Sequence, residues 1–138
     1  MKTILGVSKK LLSVNSINIF WCTYSTFNNQ PGDYMALYVK GKGINQYFSI
    51  DFFDSVNNEL NCEYRGMLTI RLNHILTVDT PLSFNTMASD DYLKDMNAVR
   101  KRFQGTTFII QEEYWDEIIN RIAKSNPNNL KDLNKLKY

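Results

Sequence analysis

Pro31-Gly32-Asp33-Tyr34-Met35-Ala36-Leu37-Tyr38-Val39-Lys40-Gly41-Lys42-Gly43 is the stretch that decides the fold. Proline presets φ and glycine accepts a positive φ, so Pro31-Gly32 predicts a type II turn. The residues after it alternate along a strand, with Met35, Leu37 and Val39 on one face and Tyr34, Ala36 and Tyr38 on the other. Both faces are apolar, so the strand over 33–40 is buried on two sides. Gly41-Lys42-Gly43 then turns the chain into a second strand, Gln46 to Phe53, and the two form an antiparallel hairpin.

Working outward, Thr3 to Val7 reads as a short strand. Lys9 to Phe20 reads as a short or irregular helix with Ser8 as its N-cap, which leaves Trp21 near a helix end. Downstream, Asn57-Asn58-Glu59 is a loop. Gly66 to Leu76 is a long strand with Leu68, Ile70 and Leu72 inward and Thr69, Arg71 and Asn73 outward, ended by Asp79-Thr80-Pro81. Ser89-Asp90-Asp91 caps a helix running to about Arg102, and Thr106 to Ile110 is a last strand. Gln111 to Lys124 carries Trp115, Ile118, Ile119 and Ile122 at i, i+3, i+4 and i+7, one face of a helix. Glu112 and Glu113 open that helix and Arg121 and Lys124 close it, as its dipole prefers. Residues 126–138, rich in Asn and Lys after Pro127, read as a polar tail or linker whose Leu130, Leu133 and Leu136 can form a short packing helix. The sum is an α+β domain over 1–125: a small, curled, mostly antiparallel sheet of about five to six strands, a partly open barrel with peripheral helices.

Composition bounds the function. A chain of 138 residues with 43% hydrophobic and 13% aromatic residues folds as one domain with a modest core. Its net charge of +2 permits an anionic partner without announcing one. Cys22 and Cys62 lie far apart with a single histidine, His74, so a structural zinc site is not expected and no cofactor is implied. A disulfide between them is possible, but two reduced thiols in a cytoplasmic protein is the favoured expectation. Ser8-Lys9-Lys10 interrupts the apolar start too early for a signal peptide, and no run reaches the roughly 18–20 apolar residues that span a bilayer.

The order of these segments resembles the EVE domain, a family of the PUA-like superfamily whose eukaryotic relative is the YTH domain. Gly32-Asp33 and the strand after it resemble the "GD…Y" strand of EVE domains, and Arg102 to Trp115 resembles their closing strand and acidic-capped helix. Phe20-Trp21-Cys22-Thr23 looks like the segment that gives YTH domains one wall of an aromatic cage. Met67 to Phe84 resembles their long strand and following turn, although Leu72 stands where a second cage tryptophan is expected. The resemblance spans roughly residues 3–122. It implies a non-catalytic nucleic-acid-binding module, for DNA or RNA, that takes a flipped and methylated base into a pocket.

In that pocket Trp21 is the wall. Ser8, Lys9 and Thr23 are candidates for hydrogen bonds to the base edge, Tyr24 and Phe27 for lids or anchors, and Leu72 or Asn73 for the floor. Arg100-Lys101-Arg102, with Lys40 and Lys42 on the hairpin, are the candidate phosphate contacts. Stacking on an aromatic is worth about 1–3 kcal/mol per base, which offsets an unstacking cost of a few kcal/mol. The resemblance also implies a larger partner assembly, as the specificity end of a modification-dependent restriction or defence system. Two other classes compete: an RNA-binding PUA-like or small protein-interaction domain without base reading, and an enzyme pairing His74 with Cys22 or Cys62 beside Asp51, Asp54 or Glu63.

Overall fold

The computed structural model describes residues 1–15, 19–51, 62 and 66–138. Its described strands form one six-stranded mixed sheet. They are β1 (Thr3–Ser8), β2 (Ile19–Thr23), β3 (Tyr34–Val39), β4 (Gly43–Asp51), β5 (Leu68–Leu82) and β6 (Thr107–Ile110). The helices are α1 (Phe84–Ser89), α2 (Asn97–Arg100), α3 (Glu112–Ser125) and α4 (Leu130–Asn134). In space the strands run β2-β5-β4-β3-β1-β6, with β1 and β3 parallel and the other neighbours antiparallel.

The Pro31-Gly32 turn forms as expected. Gly32 has φ 91°, and the Asp33 N–H donates to the Gln30 carbonyl at 3.1 Å. The Asp33 carboxylate beneath it accepts from the N–H groups of Lys2 and Gln30. The two-faced pattern of β3 then splits the core. Met35, Leu37 and Val39 join Ile4, Phe48, Ile50, Ile70 and Leu72 on one face of the sheet. Ala36 and Tyr38 join Leu5, Tyr47, Leu76 and Phe108 on the other, beneath Trp115, Ile118, Ile119 and Ile122 of α3. The alternation of strand side chains is what lets a single sheet support two cores.

The sheet curls into a half-barrel because its two outer strands converge. From β2, the Trp21 indole N–H donates to the Thr107 hydroxyl of β6 at 3.0 Å, and that hydroxyl donates to the Cys22 carbonyl at 3.2 Å. Trp21 and Thr107 reach each other from the Met35–Phe48 face, so that face is the concave one. Gly6, opposite Thr107 in the β1–β6 register, makes room for the ring: a Cβ there would lie 2.6 Å from Trp21 Cζ2. Residues 9–15 lie along the concave face, where Gln46 bonds both the N–H and the carbonyl of Leu12.

Several expectations are corrected. Residues 9–15 are not helical, and Ser8 ends β1 instead of capping a helix: its hydroxyl turns to the Lys10 backbone. Trp21 therefore sits inside a strand, paired with Ile70 of β5. The remainder of that expected helix, 16–18, lies outside the described residues, as do Phe53 and the expected loop at 57–59. Strand β5 does not stop at Asp79 but runs to Leu82. Pro81 falls where the β4–β5 register is irregular, so its missing N–H removes no regular ladder bond. Leu68, expected inward, is 53% exposed because it pairs with the last residue of β2 at the sheet's end.

The helix expected from Ser89 to Arg102 is replaced by α1, a 3₁₀ turn at Leu93–Asp95, and α2. Asp90 does act as a cap, accepting from the N–H groups of Tyr92 and Leu93. Its ion pair with Arg121 and those two bonds hold its carboxyl down at about 2.

Residues 126–138 are not a loose tail. Leu133 and Leu136 are buried, the Trp115 indole donates to the Leu136 carbonyl at 2.8 Å, and the Tyr138 hydroxyl meets Thr3 at 3.0 Å. Buried Asn126 fastens the start of this segment to both Thr80 and Ile122. The two cysteines are not reduced either: Cys22 and Cys62 form a disulfide with Cα atoms 5.4 Å apart. Among the described residues, no helix is long and apolar enough to cross a membrane.

Candidate binding cleft at the barrel seam

Where β2 meets the β1–β6 pair, the half-barrel leaves a cleft of about 270 Å³. Phe20, Trp21 and Cys22 line it from β2, Val7 from β1, Leu12 from the loop after β1, Met67 from the approach to β5, and Thr106 from the approach to β6. Drug-sized sites run from about 300 to 1,000 Å³, so this one has room for a single ring system. The lining is apolar except for Thr106, whose exposed hydroxyl has no partner among the described residues.

Trp21 is held at two points. Its N–H is engaged by Thr107, and its six-membered ring rests against Gly6. A wall so held keeps its geometry without a ligand, which lowers the ordering cost of binding.

The other expected pocket residues are dispersed. Thr23 is buried, its hydroxyl donating to Asn29 at 3.0 Å. Tyr24 is exposed and edge-on to Phe27 at 5.1 Å. Leu72 is buried in the concave core against which Trp21 packs, while Asn73 is exposed beyond it. Ser8 spends its hydroxyl on Lys10, and Lys9 is exposed. Only Trp21 of that set lines the cleft.

Val7, Leu12, Met67, Thr106 and Thr107 are not among the residues expected at the site. One signal in the chain does point to the seam. A lone glycine inside an apolar strand, Gly6 in Thr3–Ser8, marks close approach by another group.

The cations are better gathered than the pocket. The loop that supplies Leu12 also carries Lys9 and Lys10, and the end of α2 with the loop that supplies Thr106 carries Arg100-Lys101-Arg102, all exposed. The Lys40 N–H donates to the Ser8 carbonyl at 2.9 Å, bringing the hairpin with Lys40 and Lys42 beside Lys9. Gly43 at the end of that hairpin packs against Leu82 and Ser83, next to Phe84, over whose ring the Arg102 guanidinium lies at 5.7 Å. None of these cations forms an ion pair among the described residues.

Arg102 is held in an unusual backbone. It terminates α2 in a Schellman arrangement: its own N–H donates to the Val99 carbonyl and the Phe103 N–H to the Ala98 carbonyl, both at 2.8 Å. Arg102 has φ 55° and Phe103 φ 54°, the left-handed region that costs a non-glycine residue about 1–2 kcal/mol. Buried Phe103 recovers this by stacking on Tyr38 at 3.9 Å; exposed Arg102 recovers less, through its guanidinium over Phe84. Arg102→Gly is therefore expected to raise stability by about 1 kcal/mol, measured by denaturant unfolding. The same variant loses a cation, so stability and anion binding move in opposite directions.

The enzymatic pairing lacks a nucleophile. Both sulfurs are tied in the disulfide, and the His74 ring bonds Thr77 and packs on Phe48, with burial lowering its pKa. Asp54 and Glu63 lie outside the described residues. Among the described residues, no group of three or more His, Cys, Asp or Glu is placed to hold a metal ion.

A curled mixed sheet with helices on its convex face defines the class of fold. Solved structures share it, among them these two. One is a hypothetical protein from Leishmania major, with TM-score 0.68 and 14% identity over 91% of this chain and 96% of that one. The other is Rpa0253 from Rhodopseudomonas palustris, with TM-score 0.63 and 14% identity over 100% of this chain and 97% of that one. At this identity the likeness shows the fold alone. No family model matches the chain, and no curated protein matches it.

Proposed function

We propose that this chain is a non-catalytic nucleic-acid-binding module, akin to EVE and YTH-like domains, that takes one unstacked base into the seam cleft beside Trp21. The observation that carries this reading is the coincidence of two features. An apolar cleft sized for one ring system is lined by Leu12 and Thr106, from segments that also bear Lys9, Lys10 and, from the end of α2 onward, Arg100-Lys101-Arg102. Phosphates on either side of the inserted base would meet these cations and Lys40, while the base stacks on a wall already in place.

The apolar lining favours a methylated base, each buried methyl-sized group adding about 0.8 kcal/mol. The Thr106 hydroxyl is the available partner for a base edge. Such a module suits the specificity end of a larger modification-dependent restriction or defence assembly.

The test is a titration of single- and double-stranded oligonucleotides carrying N6-methyladenine, 5-methylcytosine or no modification, at two stated salt concentrations. Trp21 closes the barrel, so its removal confounds binding with folding. Thr106→Phe fills the cleft from an exposed position and is the cleaner block. It is expected to abolish discrimination between modified and unmodified base while leaving stability within about 0.5 kcal/mol.

Arg100→Ala combined with Arg102→Ala is expected to weaken every oligonucleotide alike. The salt slope should fall by about one for each phosphate that is no longer neutralised. Failure of the wild-type protein to bind any of these probes would sink the proposal.

A further inference from the structure

The Cys22–Cys62 disulfide forms part of the cleft's own wall. Cys22 lines the cleft and is half-buried, whereas Cys62 is fully buried. The Cys62 carbonyl accepts the Met67 N–H at 2.9 Å, and Met67 also lines the cleft. On its other side, Cys22 offers its carbonyl to Thr107, the hydroxyl that holds the Trp21 indole. One covalent bond thus connects the Met67 wall, the Trp21 wall and the seam that closes the barrel. The strand it anchors is short, five residues long, and among the described residues its ladder partner is β5, on one side.

We propose that the Cys22–Cys62 disulfide is a redox switch on the cleft, in which the oxidised protein binds ligand and reduction by a dithiol releases it. As regulation of the seam cleft, this rests on the binding role proposed for it. The half-buried Cys22 sulfur is the one an incoming thiolate reaches. Attack there forms a mixed disulfide and expels Cys62 as a thiolate, which takes up a proton. The second thiol of the reductant then displaces Cys22 as a thiol and leaves as the oxidised disulfide. Two electrons and two protons pass to the protein.

Without the bond, the Cys22 end of β2 keeps its β5 pairing, the Thr107 hydrogen bonds and the Thr23–Asn29 bond, but loses its covalent tie to the Met67 wall, and the cleft loses its fixed wall. Linkage requires the reverse effect as well: a ligand seated in the cleft makes the disulfide harder to reduce.

The experiment compares oxidised protein, the same sample reduced with dithiothreitol, and Cys62→Ser, by amide hydrogen exchange and by oligonucleotide titration. Expected on reduction are faster exchange at 19–23 with α3 unchanged, and a loss of about tenfold in affinity. Reoxidation restores both. Unchanged exchange at 19–23 overturns the switch, whether or not any oligonucleotide binds. Faster exchange with equal affinity in both forms overturns it too.

Faster exchange with no binding in either form leaves the opening of β2 standing and removes the nucleic-acid reading instead. If Cys62→Ser does not fold, the reversibly reduced wild-type protein decides the matter.

Discussion

Trp115→Ala is expected to cost about 3–5 kcal/mol and to detach the last dozen or so residues from the body of the protein. Trp115 is fully buried in the convex-face core, edge-on to Tyr47 at 5.8 Å. Truncation leaves a cavity that the surrounding strands and α3 fill only in part. It also strands the Leu136 carbonyl, which accepts the indole N–H at 2.8 Å in a buried place. Trp115→Phe separates the two contributions. It keeps most of the volume but not the donor, and the unpaired carbonyl alone is expected to cost about 1–3 kcal/mol.

Denaturant unfolding gives the loss, and limited proteolysis gives its location. Cleavage within 126–138 should rise steeply in Trp115→Ala. A variant that loses stability without that cleavage would show the C-terminal segment to be held by its leucines instead.

Gly6→Ala is the second large effect, and it acts on the seam. The added Cβ would lie 2.6 Å from Trp21 Cζ2 and 2.8 Å from Cε2, well inside van der Waals contact. Gly32 serves a turn; Gly6 serves a neighbour. The indole cannot simply swing away, because its N–H is bonded to Thr107 and Thr107 is bonded to Cys22. The expected loss is about 1–3 kcal/mol, typical of overpacking, together with a red shift in tryptophan emission as Trp21 moves toward water. Trp115 lies in the other core and its contribution stays constant. A stability within about 0.5 kcal/mol of wild type and an unchanged emission spectrum would show that the ring relaxes freely and that the seam is not closed by this packing.

The parts of the fold legible in the sequence are those whose signal is local. The Pro31-Gly32 turn, the two-faced pattern of Tyr34–Val39 and the helical spacing of Trp115, Ile118, Ile119 and Ile122 each carry their own cause, and each stands where expected. Strand β2 is illegible because its identity is not local. Ile19–Thr23 is too short to alternate convincingly, and it becomes a strand by lying against β5. The length of β5 is hidden by Pro81, a breaker that an irregular register tolerates.

The site follows the same division. Trp21 stands out by residue type, and so do the cations, which the fold does gather. Thr106, Met67 and the sulfur bridge become neighbours only through the curl of the sheet. A pairing between cysteines 40 residues apart has no spacing signature at all.

The placement of β1 has a consequence for how the molecule comes into being. Its first strand pairs with β3 in parallel and with β6 in antiparallel, so the Thr3 hydroxyl donates to the Ile110 carbonyl, 107 residues along the chain. Such distant partners give a high contact order, and chains of this kind assemble slowly because long loops must close before the pairing repays them. During synthesis the β2–β5 and β3–β4–β5 pairings can form early. The first strand must then wait, with one edge open, until β6 has left the ribosome. The seam at Trp21 and Thr107 is therefore among the last parts of the molecule to form, and the binding cleft comes into existence only when the first and last thirds of the chain have met.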